Sequence, residues 1–243
     1  MDHLRAAFFY IGATIVVSLI ALFAPLTIPF PYSVRFWFLG LFARFCVWWL
    51  EVTCGLRYHV NGRENLPSGP AIVVANHQSA WETLALQRVF PIRTWLFKRE
   101  LLYIPFLGWG LALTQPIAID RKAGRKALQM LVEQGKARLG QGRWVVVFPE
   151  GTRVPPGERR PFHIGGAYLA GHTGYPIVPV AHNAGRYWPR KSFLKRPGVI
   201  ELSIGPVIAT DGRDPREINR DVEEWIATEA ARLDKIACRE LGI

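Results

Sequence analysis

His77 and Glu82 lie five residues apart at the end of an apolar run, in VVANHQSAWETL (73–84). An imidazole held by a carboxylate at one nitrogen can accept a proton at the other. The carboxylate fixes the tautomer and stabilises the imidazolium that forms. On one continuous helix, a five-residue step is a rotation of about 140°, so the two side chains would face apart. They meet only if His77 sits in a turn and the helix begins after it. SAWE supplies such a start as an S-x-x-E capping box, with Ser79 as N-cap and Glu82 at the third helical position. Backbone capping and imidazole orientation therefore compete for one carboxylate.

A second cluster follows the run VVVFPEGTR (145–153). Ligands of open α/β sheets bind in loops at the carboxyl ends of strands. Glu150, Gly151, Thr152 and Arg153 occupy such a loop: Gly151 permits close backbone approach, and Arg153 offers a planar fork for phosphate. Lys98 ends the run RTWLFK, and Arg121 directly follows PIAID. Lys98, Arg121 and Arg153 all follow strand-like runs, which suits an anion pocket on one rim. Solvated surface charge is the plain alternative for each.

Other chemistries have little support. The six histidines are scattered, no H-E-x-x-H occurs, and no metal site is expected. There is no G-x-S-x-G elbow and no P-loop. Three cysteines without a CxxC spacing read as reduced, apolar side chains.

Short β-rich runs alternate with helical ones from Arg57 onward. Strands are expected at LRYHVNG, PAIVVAN, RTWLFK, PIAIDR, WVVVFP, YPIVPVAHN and GVIELSIGPV, with a helix over 122–139. A last helix opens at DPRE, with Asp214 as N-cap and Pro215 at its first position. This pattern implies an α/β domain over 55–243, with a mixed central sheet flanked by helices.

Residues 1–54 differ. Two apolar runs, 4–24 and 34–54, are separated by PLTIPFPY, whose prolines break the helix. The first run would reach about 31 Å as a helix. A cleaved signal peptide fits poorly, because no small-x-small site follows. The expectation is an N-terminal apolar two-helix membrane-binding segment, either a span plus an interfacial helix or a hairpin in one leaflet. In the second run Arg44 and Glu51 share a helix face, with Gly40 beside them.

The net charge is +11, from 30 Lys+Arg against 19 Asp+Glu. Such a balance suggests an anionic partner, and nine tryptophans favour a membrane interface. No nucleic-acid module is present, and no nucleic-acid partner is expected. The basic stretch RYWPRKSFLKR (186–196) is a candidate contact for anionic headgroups or an acidic donor.

Together these stretches resemble the lysophosphatidic acid (1-acyl-sn-glycerol-3-phosphate) acyltransferase family. Its N-H-x-x-x-x-D block corresponds to Asn76–Glu82, its second block to Lys98–Gly108, its F-P-E-G-T-R block to Phe148–Arg153 and its fourth to Val178–Val180. The family usually has Asp where this chain has Glu82. Where members often carry F-K-x-G, this chain has Phe162-His163-Ile164-Gly165.

The resemblance implies that His77 is the base and Glu82 its partner. Arg153, Lys98 and Arg121 would hold an acceptor phosphate, and Glu150, with Gly151 and Thr152, would orient the glycerol or the loop. Lysophosphatidic acid would be the acceptor, and acyl-CoA or acyl carrier protein the thioester co-substrate, with no cofactor. The expected setting is a bacterial-type inner membrane with the catalytic domain facing the cytoplasm. Another lysolipid acceptor, or a non-enzymatic membrane-lipid-binding protein, are the alternatives.

Overall fold

A computed structural model describes residues 1–104, 107–120 and 123–243, and the side chains of all of these except Leu107. Its strands are β1 (Leu56–Asn61), β2 (Ile72–Ala75), β3 (Arg93–Lys98), β4 (Ile117–Ile119), β5 (Trp144–Val147), β6 (Ile177–His182) and β7 (Gly198–Ile204). They form one sheet in the order β1-β7-β6-β2-β5-β3-β4. β6 and β7 run antiparallel and the other neighbours run parallel, so the sheet is mixed, as the alternating runs implied.

The central strands IVVA and WVVV are buried throughout, as expected of parallel strands covered on both faces. Alternation along the pleat sorts their side chains. Val73, Ala75 and Val146 share a core with the apolar helices and α3 (Trp81–Val89). Ile72, Val74, Val145 and Val147 face α5 (Arg125–Gly140), α6 (Gly165–Thr173) and α8 (Pro215–Leu241). The start of α8 follows its sequence signature: the Asp214 carboxylate accepts from the Arg216 amide at 2.6 Å, and Pro215 fills the first turn. α5 begins three residues later than expected, behind Gly124 at φ +52°. Arg121 and Lys122 lie outside the described residues.

The two apolar runs fold as α1 (Asp2–Phe23) and α2 (Tyr32–Cys54), packed as a hairpin. Their close approach depends on Gly12, where a Cβ would lie 2.3 Å from Trp49 Nε1. The Trp49 indole instead donates to the Phe8 carbonyl at 3.1 Å. α2 is tied to the sheet at both ends. Tyr32 Oη shares its one proton between the carbonyls of Arg93 (2.7 Å) and Thr114 (3.0 Å), while Leu50 and Cys54 are buried in the core beside α3 and β1. Away from the sheet the hairpin exposes Phe8, Ile11, Ile15, Leu22, Trp37 and Trp48.

α1 is held at its amino end by Lys195. The ammonium is buried, within 3.5–5.6 Å of the ring centroids of Phe9, Tyr10, Trp188 and Phe193, and donates to the Phe193 carbonyl at 2.8 Å. Arg186 forks onto Asp234 through two 2.6 Å bonds. Two cations of the stretch 186–196 are therefore engaged by the protein itself, Lys195 buried and Arg186 half-buried in its ion pair. The remaining cations of the stretch, Arg190, Lys191 and Arg196, are the exposed ones.

Candidate active site

His77 lies two residues beyond β2, in the turn before α3. Its backbone is held from the neighbouring loop: the Val154 amide donates to the His77 carbonyl at 2.8 Å, and the His77 amide donates to Glu150 Oε1 at 3.2 Å. The ring stacks on Phe148, with centroids 4.2 Å apart and planes at 15°, and Phe148 stacks in turn on Trp95. Nδ1 is 2.7 Å from Glu82 Oε1. Nε2 has no protein partner among the described residues, and the side chain is 16% exposed, so this nitrogen is reachable from outside. With Nδ1–H donating to the carboxylate, Nε2 carries the lone pair of a base.

Glu82 is fully buried, and one oxygen serves both of its tasks. Oε1 accepts from the Ser79 amide at 2.7 Å and the Gln78 amide at 2.9 Å, as well as from His77. The helix starts one residue later than expected, with Ala80 as N-cap and Glu82 as its second residue. Ser79 Oγ accepts from the Trp81 amide at 3.2 Å and donates to the Trp188 carbonyl at 2.7 Å. Ser79 Oγ thus still accepts from a first-turn amide and Glu82 still answers the Ser79 amide, so both halves of the expected capping box form although the helix begins one residue later. Burial alone would raise the Glu82 pKa. The pull of the neighbouring His182, the hydrogen bond with His77 and the Ser79 amide outweigh it and hold the carboxyl below the usual range.

His182, at the end of β6, was not legible as a site residue. It is fully buried, with Nε2 2.8 Å from the Asn76 carbonyl and 3.9 Å from Glu82 Oε2. Its Nδ1 accepts from the Ala184 amide at 3.3 Å, which leaves Nε2 as the protonated nitrogen of a neutral ring. Burial lowers its pKa in keeping with that state. The Asn76 side chain exchanges two bonds with the His182 backbone, at 2.9 and 3.0 Å, and so extends the β2–β6 pairing to the base of the His77 turn. The one signal in the sequence was the position of His182 two residues after the VPV block, at the end of an apolar run.

Glu150 is 6% exposed, and its Oε2 has no hydrogen-bond partner among the described residues. Burial pushes its pKa up to about 7; its own amide and that of His77 oppose this, while Glu82 and Glu223 add to it. Gly151 has φ +69°, a left-handed conformation that a side chain would strain, and its amide closes the turn onto the Phe148 carbonyl at 3.1 Å. Thr152 and Arg153 are half-buried in the same loop.

The structure thus brings His77, Glu82 and Glu150 together. Lys98 ends β3, and Arg153 lies in the loop that follows β5, its parallel neighbour, on the carboxyl side of the sheet where His77 also lies. Lys98 is exposed, and Arg121 lies outside the described residues.

Comparisons with known proteins point the same way as this geometry. The family model described as Acyltransferase matches residues 57–183. A 1-acyl-sn-glycerol-3-phosphate acyltransferase from Pseudomonas aeruginosa is 41% identical over 245 residues, which cover 98% of this chain and 95% of that protein. The human 1-acyl-sn-glycerol-3-phosphate acyltransferase alpha is 34% identical over 167 residues, covering 68% of this chain and 59% of its own length. The crystal structure of the 1-acyl-sn-glycerophosphate (LPA) acyltransferase from Thermotoga maritima superimposes with a TM-score of 0.74 at 26% identity, over 96% of this chain and 95% of that one.

Proposed function

The chain belongs to the 1-acyl-sn-glycerol-3-phosphate acyltransferase family, and on that premise we propose that it acylates the sn-2 hydroxyl of 1-acyl-glycerol 3-phosphate, giving phosphatidic acid. The donor is a thioester, acyl-CoA or acyl carrier protein. The observation that carries this reading is the His77 ring, locked by Glu82 at Nδ1 and open at Nε2 on the carboxyl edge of the sheet.

His77 Nε2 takes the proton of the acceptor hydroxyl as its oxygen attacks the thioester carbonyl. Glu82 faces the imidazolium that forms across 2.7 Å. As the tetrahedral intermediate collapses, the C–S bond breaks and the proton passes from His77 to the departing sulfur. The acceptor phosphate lies against Arg153 and Lys98; Arg121 joins them because it directly follows the strand-like run PIAID. Glu150 buttresses the His77 amide and the loop that presents Arg153.

The apolar hairpin keeps this edge at a bilayer. Packing along α2 at both ends supports insertion into one leaflet rather than a span standing away from the domain. A bacterial-type inner membrane, with the catalytic domain on the cytoplasmic side, is the setting this reading assigns.

Purified protein assayed against a panel of lysolipids with both donors tests the reading. Transfer to 1-acyl-glycerol 3-phosphate is expected, and it should vanish in a folded, membrane-bound His77→Ala variant. Full activity in that variant overturns the assignment.

A further inference from the structure

The exposed face of α2 is apolar and aromatic, with Val34, Trp37, Trp48 and Val52, but it also carries the exposed Arg44. Its guanidinium lies 5.8 Å from the Trp37 ring centroid. Beside it a notch of about 540 Å³ opens between α2 and the α3–β3 turn, lined among others by Phe36, Arg44, Trp48, Glu51, Arg88 and Arg93. Three cations thus face one carboxylate. Among the described residues, neither Arg44 nor Arg88 forms an ion pair.

Arg93 deepens the imbalance. It is buried and donates to three carbonyls, of Pro91 (3.1 Å), Leu86 (2.8 Å) and Gln87 (2.7 Å), so its charge meets no carboxylate. Burial lowers its pKa and Arg44 lowers it further, against the pull of Tyr32. Gly40 lies one turn from both Phe36 and Arg44, and a Cβ there would meet nothing within 4 Å. Bare backbone therefore leaves open space along this edge of the helix.

A guanidinium on a lipid-facing helix must reach a counter-charge or water. Phosphate oxygens suit its planar fork, and tryptophans settle at headgroup depth. We propose that this notch binds the phosphate-bearing headgroup of an anionic phospholipid in the leaflet that holds the hairpin. The site is distinct from the His77 edge, and it rests on the placement of the hairpin in a bilayer stated above.

Full-length protein is mixed with phosphatidylcholine vesicles with and without phosphatidylglycerol, and bound protein is measured by sedimentation. Phosphatidylglycerol should strengthen binding of the natural chain. The double variant Arg44→Gln/Arg88→Gln should lose that gain, by about fivefold for each arginine. Gly40→Leu, which adds bulk without changing charge, should lose part of it. Arg216→Gln/Arg220→Gln, an equal charge change on α8, should keep most of it.

Equal losses in the two double variants would mean a diffuse field and overturn the site. So would an undiminished gain in Arg44→Gln/Arg88→Gln or in Gly40→Leu. Inorganic phosphate that abolishes the gain at matched ionic strength would mark a soluble-phosphate site instead, and overturn the lipid assignment. Failure of the natural chain to bind pure phosphatidylcholine would sink the bilayer placement. Binding without any phosphatidylglycerol gain would sink the notch alone.

Discussion

Glu82 meets His77 with the same oxygen that receives the Ser79 amide, both at 2.7 Å. Helix start and catalytic pair are therefore one structure, and moving the carboxylate disturbs both. Charge and geometry can still be separated. Glu82→Gln keeps an acceptor for the amides of Gln78 and Ser79 but cannot neutralise an imidazolium. Turnover should fall by a factor on the order of a hundred to ten thousand, with little change in melting temperature. If Glu82 served only as a cap, turnover would hold and any loss would lie in stability, about 1 kcal/mol. Steady-state rates set beside thermal melts decide between the two.

Glu150 provides a pH test. Its folded pKa of about 7 lies above the ordinary carboxyl value of 4.5. Between those values the folded state holds a proton that the unfolded chain releases. Stability is therefore greatest below about pH 4.5, declines as pH rises through 7, and then levels off. The full swing is at most about 3 kcal/mol. Glu150→Gln removes the buried charge and keeps an acceptor for the His77 amide. It should melt higher than the natural protein at pH 8 and alike at pH 4.5. Parallel melting curves across that range would contradict the buried-carboxyl account.

His182 fixes where β2 ends. Its ring satisfies the Asn76 carbonyl and the Ala184 amide in a fully buried position, edge-on to Trp81 at 5.9 Å. His182→Phe fills the space but orphans both backbone groups, at about 1–3 kcal/mol each. Chemical denaturation should show a loss of about 2–6 kcal/mol. A variant as stable as the natural chain would mean that the two groups find other partners.

The parts of the site that were legible in the sequence are local ones. A continuous apolar strand, a turn and a short helix start fall within VVANHQSAWETL, so residue spacing alone could bring His77 and Glu82 together. The bond from Ser79 to the Trp188 carbonyl, 109 positions away, was not legible, because it depends on the fold bringing that loop over the helix start. His182 and the bond from the His77 amide to Glu150 depend on β2 pairing with β6 and lying beside β5. No pattern within one strand encodes which strands become neighbours. Lys195 was misleading for the same reason: a basic run looks solvated until a distant helix brings Phe9 and Tyr10 over it.

That cage offers the last test, because it joins the apolar hairpin to the loop that anchors Ser79 through Trp188. Burial lowers the Lys195 pKa from 10.5 to about 8, with Cys54 pulling the other way. The sign is opposite to that of a lysine gaining a carboxylate partner. Between 8 and 10.5 the unfolded chain binds the proton and the folded chain releases it, so stability rises with pH across this window and is flat below it. Lys195→Met keeps much of the volume and removes the charge. It should flatten the rise while giving up cation–π attraction worth about 0.5–2 kcal/mol at neutral pH. Melting temperatures of both proteins from pH 7 to 10 check this. If the slope persists in Lys195→Met, the rise comes from another group, and the ammonium is not confined as the cage requires.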